Sequence, residues 1–575
     1  MYILGLNVYH GDSSACLFKD GELICAFEEE RFTRQKHWAG FPKLSIAQCL
    51  IDAGIDFDDI DFITASRDPK AHYLKKIMHV LKYKVNLGDI FQRIQNGKKT
   101  NSLEKDFEIA FSKSATYFKK KIRNIEHHRS HLASTFFASP HKEAAILTID
   151  AFGDFCSTML AKGKDNQMEI LEWVPFPHSI GIFYTAFTQY LGFEHYGDEY
   201  KVMGLAPYGN PEYIDQMKKI LILEEGGLFK LNLEYFTHHK EGVKTKIFQN
   251  HDPTPSLVYS KKIAEVFGVA RKKDEPLTQK HKDIAASVQR HCENAIFHIL
   301  KRLHTLTKID TVCIAGGVAQ NSVANGKITT NTKFKKLYIP PAGHDAGTSM
   351  GSALFQFNQV LNQPRSTPMY NPYTGSYATD DEIETLLNRA NVKYKKLEDD
   401  ELNDIVTDCL INNGVVGWFK GRAEFGPRAL GGRSILADPR NPLAKDLLNS
   451  KIKRRESFRP FAPSILKEFV GEYFEKVEDV PFMEKVFPIK QEKHMIIPAV
   501  THVDGTGRLQ TVDKKVSPKY YNLIEAFNKK TGVPILLNTS FNENEPIVNK
   551  PEEALNCFLR TQMDMLVLEN YLIER

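Results

Sequence analysis

The sequence has no run of about eighteen apolar residues, the length a helix needs to cross a bilayer, so no span of that kind and no membrane partner is expected. The opening MYILGLNVYHGDSS has no basic n-region and breaks its apolar run at Asn7, which argues against a secretory leader. Cysteine is sparse: the eight present (16, 25, 49, 156, 292, 313, 409 and 557) are scattered and form no CxxC pair. That excludes a disulfide framework and a cysteine-rich zinc site, and it fits reduced thiols in a cytoplasm. Charge of one sign is also scarce, and a net +5 over 575 residues gives no warrant for a nucleic-acid partner. What remains, 42% hydrophobic and 26% charged residues, is the composition of a soluble globular chain too long for a single core.

What is present begins with a repeat. YILGLN, the turn HGDSS, ACLF, the turn KDGE and LICAFEEE read as a β-meander with alternating faces. From Ala145 the order returns: ILTID (146–150) matches ILGLN (3–7), AFGDF replaces YHGDS, and STMLAKGKDNQMEILEWV repeats strand, turn and strand. Two copies of strand, glycine-acid turn and hairpin predict a duplicated fold with a cleft between its halves, a pattern similar to that of actin-like and sugar-kinase ATPases. Ile284, Val288, Cys292, Ile299 and Leu303 predict a helix over 283–306 that leads to the strand TVCIA and then GGVAQN. Gly316 and Gly317 there either let backbone N–H groups approach an anion or merely turn the chain. QPRSTPMYNPYTGS has no period and reads as a linker. Beyond it Leu402, Ile405, Val406, Cys409 and Leu410 predict a helix that NNG stops before the strand VVGWF.

In NIEHHRSHLAS, His127 and His131 stand four apart on one helical face, where their imidazole nitrogens can share a metal ion. Two histidines on an ordinary helix are the competing reading, and His128 stands where a zinc protease would need glutamate. Asp345 in PAGHDAGTSMGSA is either a third ligand or a helix N-cap. His10 and Asp12 of HGDSSA can serve as acid, base or orienting group, or only shape an Asx-type turn. Arg31, Arg34 and Lys36 in EEERFTRQKHWAGFP either bind an anion or decorate a solvated loop. Lys201 and Met203 in DEYKVMGLAPYG suggest a ligand-facing loop.

In the second half, KGRAEFGPRALGGRSILADPR carries Arg422, Arg428, Arg433 and Arg440, and Lys453, Arg454, Arg455 and Arg459 follow. Aromatic and proline residues between them would pre-position guanidinium groups to clamp phosphate; an exposed basic patch is the bland alternative. His502 and Arg508 in THVDGTGRLQTV, with Asn538, Ser540 and Asn542 in LNTSFN, complete a candidate pocket for a small anion and a nucleotide.

These stretches occur together, in order and over nearly the whole chain, and in them the sequence resembles the NodU/CmcH-type O-carbamoyltransferase family. The resemblance implies a mixed α/β (α+β) protein: a duplicated actin-like (ASKHA) domain of the threonylcarbamoyl-transferase type over 1–362, a linker over 363–377, and a YrdC-like α/β domain over 378–575. It implies that carbamoyl phosphate and ATP, with Mg(II), give carbamoyl-adenylate in the C-terminal domain, where Arg422, Arg428, Lys453, Arg454, His502, Arg508, Asn538, Ser540 and Asn542 gather anionic oxygens. Lys201, Met203, Gly316, Gly317 and Asn321 would receive the nucleotide in the N-terminal domain. His127, His131 and Asp345 would hold Fe(II) or another divalent metal, and His10, Asp12 and Lys36 would serve transfer of the carbamoyl group to a hydroxyl of a small molecule such as an antibiotic or a sugar. The turn His344-Asp345-Ala346 lacks the second acid that the family often has. The resemblance is compatible with a homodimer. Carbamoylation of a macromolecule such as tRNA, and a nucleotide-binding regulator without turnover, are the competing readings.

Overall fold

The computed structural model describes residues 1–83, 102–246, 253–366 and 368–575; Thr367, within the expected linker, lies outside them. The protein is mixed α/β, and its chain divides into two units, Met1–Gln320 with Lys327–Met369, and Asn321–Gly326 with Tyr370–Arg575.

The first unit contains two five-stranded sheets. β1 (Tyr2–Asn7), β2 (Ser14–Lys19), β3 (Glu22–Glu28), β4 (Ile60–Ala65) and β5 (Ile122–Asn124) form the first, in the order β3-β2-β1-β4-β5. β1 is antiparallel to β2 and parallel to β4. Then come β6 (Glu143–Gly153), β7 (Cys156–Lys164) and β8 (Gln167–Pro175), two short hairpins made by β9 (Leu221–Leu223) with β10 (Phe229–Leu231) and β11 (Thr245–Lys246) with β12 (Thr254–Pro255), and finally β13 (Thr311–Ala315) and β14 (Lys336–Tyr338). The second sheet has the order β14-β13-β6-β7-β8, with β6 antiparallel to β7 and parallel to β13. Strand for strand, this is the order and direction of the first sheet, so the repeat of ILGLN in ILTID is a repeat of topology. β1 and β6 are each the middle strand and are covered on both faces, which is why their residues (Ile3, Leu4, Leu6; Ile146, Leu147, Ile149) form near-continuous apolar runs.

The small-residue stretch TSMGSA becomes the helix Thr348–Leu354, packed against β1 and against the helix His127–Phe136. Glycine is required at this contact: a Cβ on Gly351 would stand 1.8 Å from the Ser130 carbonyl oxygen, and one on Gly5 would stand 2.2 Å from that of Ser349. The expected helix over 283–306 is the longer Gln279–Thr307, whose buried stripe includes Ile284, Val288, Cys292, Ile299 and Leu303. The linker region is tied down within the first unit by Arg365, which donates to the carbonyls of Phe136, Phe137, Ser139 and His141 and lies over the Phe136 ring.

The second unit is built on one nine-stranded sheet. Its strands are β15 (Lys395–Lys396), β16 (Val416–Phe419), β17 (Arg433–Ala437), β18 (Ala462–Leu466), β19 (Lys485–Pro488), β20 (Thr506–Val512), β21 (Ile535–Ser540), β22 (Met565–Leu568) and β23 (Tyr571–Glu574), in the order β15-β23-β22-β16-β17-β21-β18-β20-β19. Trp418 is fully buried at its centre, and its Nε1 donates to the Gly431 carbonyl at 3.0 Å. The expected helix before NNG is Asp399–Ile411.

Candidate functional site

His127 and His131 lie on successive turns of a helix whose residues from His127 to Phe136 are almost all buried, and each directs its Nε2 toward the other, 3.1 Å away. Two carboxylates complete the cluster. Asp150 Oδ2 lies 3.2 Å from His127 Nε2 and 3.3 Å from His131 Nε2, and Asp345 Oδ1 lies 3.6 and 3.3 Å from the same atoms. With metal–ligand bonds of about 2.1 Å, donors at tetrahedral or octahedral angles stand about 3.0–3.4 Å apart, so the two nitrogens and two carboxylate oxygens fit one borderline divalent cation. The buried Nδ1 atoms of both histidines have no hydrogen-bond partner among the described residues.

Burial, then the charge of Asp150, pushes the Asp345 carboxyl well above the usual carboxylate range. Burial also opposes the charge of Asp150, but hydrogen bonds from His127 and His131 outweigh it and hold Asp150 well below that range. Two carboxyls this close share a proton, Asp345 holding it, unless a cation beside them lets both ionise. The Asp345 carboxylate makes no helix-capping bond and faces the histidines, which removes the N-cap alternative. His128 is buried apart, with its Nδ1 2.7 Å from Thr148 Oγ1 and its Nε2 donating to the Cys156 carbonyl at 3.0 Å.

Asp150 was not singled out in the sequence. The signal was there, because it ends ILTID where Asn7 ends ILGLN, and both order the turn that follows. Asn7 Nδ2 donates to the carbonyls of Gly11 and Asp12 at 3.0 Å. Asp150 Oδ1 accepts from the N–H of Ala151 at 2.7 Å and of Gly317 at 3.2 Å. The Gly316-Gly317 pair is thus where β13 closes on β6: Gly316 has φ 103°, and a Cβ there would stand 2.2 Å from the Ile149 carbonyl oxygen. The N–H of Gly316 is likewise committed, to the Gly343 carbonyl at 2.7 Å.

His10 sets its ring 4.8 Å from that of His127; burial, then that neighbour, holds its pKa well below the ordinary histidine value, so it is neutral at physiological pH. Asp12 does not stand alone: His37 Nδ1 is 2.7 Å from its Oδ1, and the backbone N–H of His37 donates to Glu30 Oε2 at 2.8 Å. His37 and Glu30, both inside the EEERFTRQKHWAGFP stretch, join the turn that the family resemblance groups with Lys36. Lys36 is half-buried beside His37, on which its charge acts. Lys201 pairs with Asp198 at 2.8 Å and lies 5.5 Å from the Phe193 ring centre; Met203 is half-buried on the same helix, Glu199–Leu205. Asn321 accepts from the Ala324 N–H at 3.0 Å, at the start of the helix Ser322–Asn331, and its segment groups with the second unit.

The second unit gathers cations. Burial, then Arg428, Arg455 and Arg459, pushes Arg508 on β20 well below the ordinary guanidinium range, and its buried Nε has no hydrogen-bond partner among the described residues. Arg455 is held by Asn449 Oδ1 at 2.7 Å and by the Phe461 ring, so the crowding is built in. His502 is lowered to about 4, by burial and, among the charges around it, by Arg508. Lys453 is threaded into the LNTSFN loop, donating from Nζ to the Ser540 carbonyl (2.6 Å), the Asn542 carbonyl (2.8 Å) and Asn542 Oδ1 (2.6 Å). Three more of the expected residues have partners of their own. Arg454 is exposed and pairs with Glu543 at 3.2 Å, and Asn538 is buried against Ala429, Ser464 and Gln510. Arg422 lines a cleft of about 420 Å³ with Tyr377, Lys519 and Glu569.

With this geometry in view, the family model described as Carbamoyltransferase N-terminus matches residues 2–354, and that described as Carbamoyltransferase C-terminus matches residues 407–575. The chain is 39% identical over 608 residues to an uncharacterised protein of Synechocystis sp., covering 100% of this chain and 97% of that one. It is 36% identical over 583 residues to the nodulation protein NolNO of Sinorhizobium fredii (99% and 80% covered). It is 34% identical over 257 residues to the 3'-hydroxymethylcephem-O-carbamoyltransferase of Amycolatopsis lactamdurans (44% and 47% covered).

Proposed function

Because the chain belongs to the carbamoyltransferase family and is a transferase, we propose that it is an ATP-dependent O-carbamoyltransferase acting on a hydroxyl of a small molecule, a natural product or a sugar. In this reading the first unit is a duplicated actin-like domain over 1–362, the second a YrdC-like domain over 378–575, and 363–377 links them. In the second unit, Arg508 with Arg428, Arg455 and Arg459 binds the phosphates of carbamoyl phosphate and of ATP with Mg(II). Water releases phosphate from carbamoyl phosphate; a carbamate oxygen then attacks the α-phosphorus of ATP, and the bond to the departing pyrophosphate breaks, leaving carbamoyl-adenylate.

In the first unit the acceptor oxygen attacks the carbamoyl carbon and AMP leaves with the bonding electron pair. The hydroxyl proton needs a base. His10, held neutral beside His127, suits that role, with the Asp12–His37 pair orienting the turn that carries it. His127, His131, Asp150 and Asp345 would hold a divalent metal, Fe(II) in this reading, which when bound would supply Lewis-acid stabilisation of negative charge on a departing phosphate.

The observation that carries the two-site reading is that a crowd of guanidinium groups suited to polyanions and a donor cluster suited to one cation belong to different units. Pyrophosphate release from ATP and carbamoyl phosphate tests it. The intact protein releases pyrophosphate, Arg508→Ala abolishes the release, and Asp345→Ala keeps it while losing carbamoyl transfer. If the intact protein releases none, the reading fails and binding of nucleotide without turnover replaces it.

A further inference from the structure

The helix Tyr73–Tyr83, YLKKIMHVLKY, carries large apolar residues that are exposed among the described residues. Tyr73, Leu74, Ile77, Met78 and Leu81 are 64%, 75%, 41%, 62% and 72% exposed. At about 100° per residue these five side chains fall within one arc of about 140°. Lys75 and Lys82 follow directly at the edge of that arc, and Lys76 lies beyond the opposite edge. His79 and Tyr83 occupy the side that meets the protein, where His79 Nε2 donates to the His239 carbonyl at 2.9 Å and its ring meets those of Phe155 and Phe176. The helix has no acidic residue. At its N-terminal end it is fastened beside the metal-type cluster: His72 Nε2 lies 2.8 Å from Glu126 Oε1, one residue before His127.

An isolated exposed leucine is ordinary, but five large apolar side chains on one contiguous arc are not. The lysines decide what covers them. A second copy of this helix would bring lysine-edged stripes together with no carboxylate on either to pair them. An anionic lipid surface satisfies both features, since its acyl boundary takes the apolar arc and its headgroups take the exposed Lys75 and Lys82 at its edge, whereas Lys76 turns back to the Pro69 carbonyl at 3.0 Å. The geometry points to Tyr73–Tyr83 as an interfacial helix that docks this protein, without spanning, on an anionic membrane surface.

Co-sedimentation of the full chain with phospholipid vesicles tests this, and its readout is independent of catalysis. The protein is expected to sediment with phosphatidylcholine vesicles containing phosphatidylglycerol, to stay in solution with phosphatidylcholine alone, and to be released by salt. Lys75→Ser with Lys82→Ser is expected to lower partitioning roughly thirtyfold, each lysine near such a surface contributing about a factor of five. Leu74→Ser, Met78→Ser and Leu81→Ser together remove binding while the unfolding temperature and pyrophosphate release stay unchanged. Absence of binding to the anionic vesicles overturns the proposal. So does a concentration-dependent dimer, seen by light scattering, that the triple serine variant dissociates, because the face then belongs to a second copy.

Discussion

The 2.7 Å contact between Asp12 and His37 joins the turn after β1 to the segment after β3, and it carries a defined pH signature. Burial opposes charge on both groups, yet the Asp12 carboxylate raises His37 to about 9, and His37 in return lowers Asp12. A histidine raised on folding stabilises fully below its unfolded value, about 6.5, and that stabilisation disappears as pH climbs through the folded value. On the acid side the pair weakens once pH falls through the lowered Asp12 value. His37→Gln should therefore cost about 2 kcal/mol near neutral pH, and the cost should shrink toward zero above about pH 9. Urea midpoints of both proteins across that range measure it; a gap that does not narrow with pH would show that His37 contributes by packing and not by charge.

At the scale of elements, the donor cluster depends on two helices held at contact distance. His127–Phe136 supplies both imidazoles and Thr348–Leu354 follows directly on the turn that supplies Asp345, and Gly351 is where the second helix meets the Ser130 carbonyl. Gly153 has a matching role, since a Cβ there would stand 1.9 Å from His127 Cδ2. Gly351→Ala forces backbone apart, because the obstructing atom is a carbonyl oxygen and not a flexible side chain. The expected cost is about 1–3 kcal/mol of stability, together with weaker binding of a divalent metal such as Co(II), measured by titration. Gly351 supplies no donor, so a loss of metal affinity reports displacement carried through the helix pair. Unchanged affinity would mean that the pair yields without moving the histidines.

At the scale of the whole molecule, each unit has hydrophobic packing of its own. One cluster of buried residues runs from Ala378 to Ile573 entirely within the second unit, and another, from Leu4 to Phe118, lies within the first. The like charges around Arg508 set a cost that a bound polyanion relieves. Pyrophosphate should therefore slow amide exchange in β20 and β21 and leave the helix His127–Phe136 unaffected, while a divalent metal should do the reverse. Hydrogen-exchange mass spectrometry separates the two responses. Protection of both regions by either ligand alone would contradict the assignment of one site to each unit.

Much of this architecture was already determined by local pattern. Apolar runs between polar turns marked the strands of both meanders, although burial on both faces replaces the expected alternation in β1 and β6; helical spacing marked 283–306 and the His127/His131 face, and the likeness of ILTID to ILGLN announced the repeated topology. These features depend only on neighbours along the chain, so the sequence contains them outright. Tertiary structure alone decided that Asp150 joins His127, His131 and Asp345, that His37 meets Asp12, and that Arg428, Arg455 and Arg459 crowd Arg508. Those outcomes turn on sheet order, register and side-chain direction across long loops. Because a one-residue change of register sends a strand's side chains to the opposite face, no local pattern could have set them.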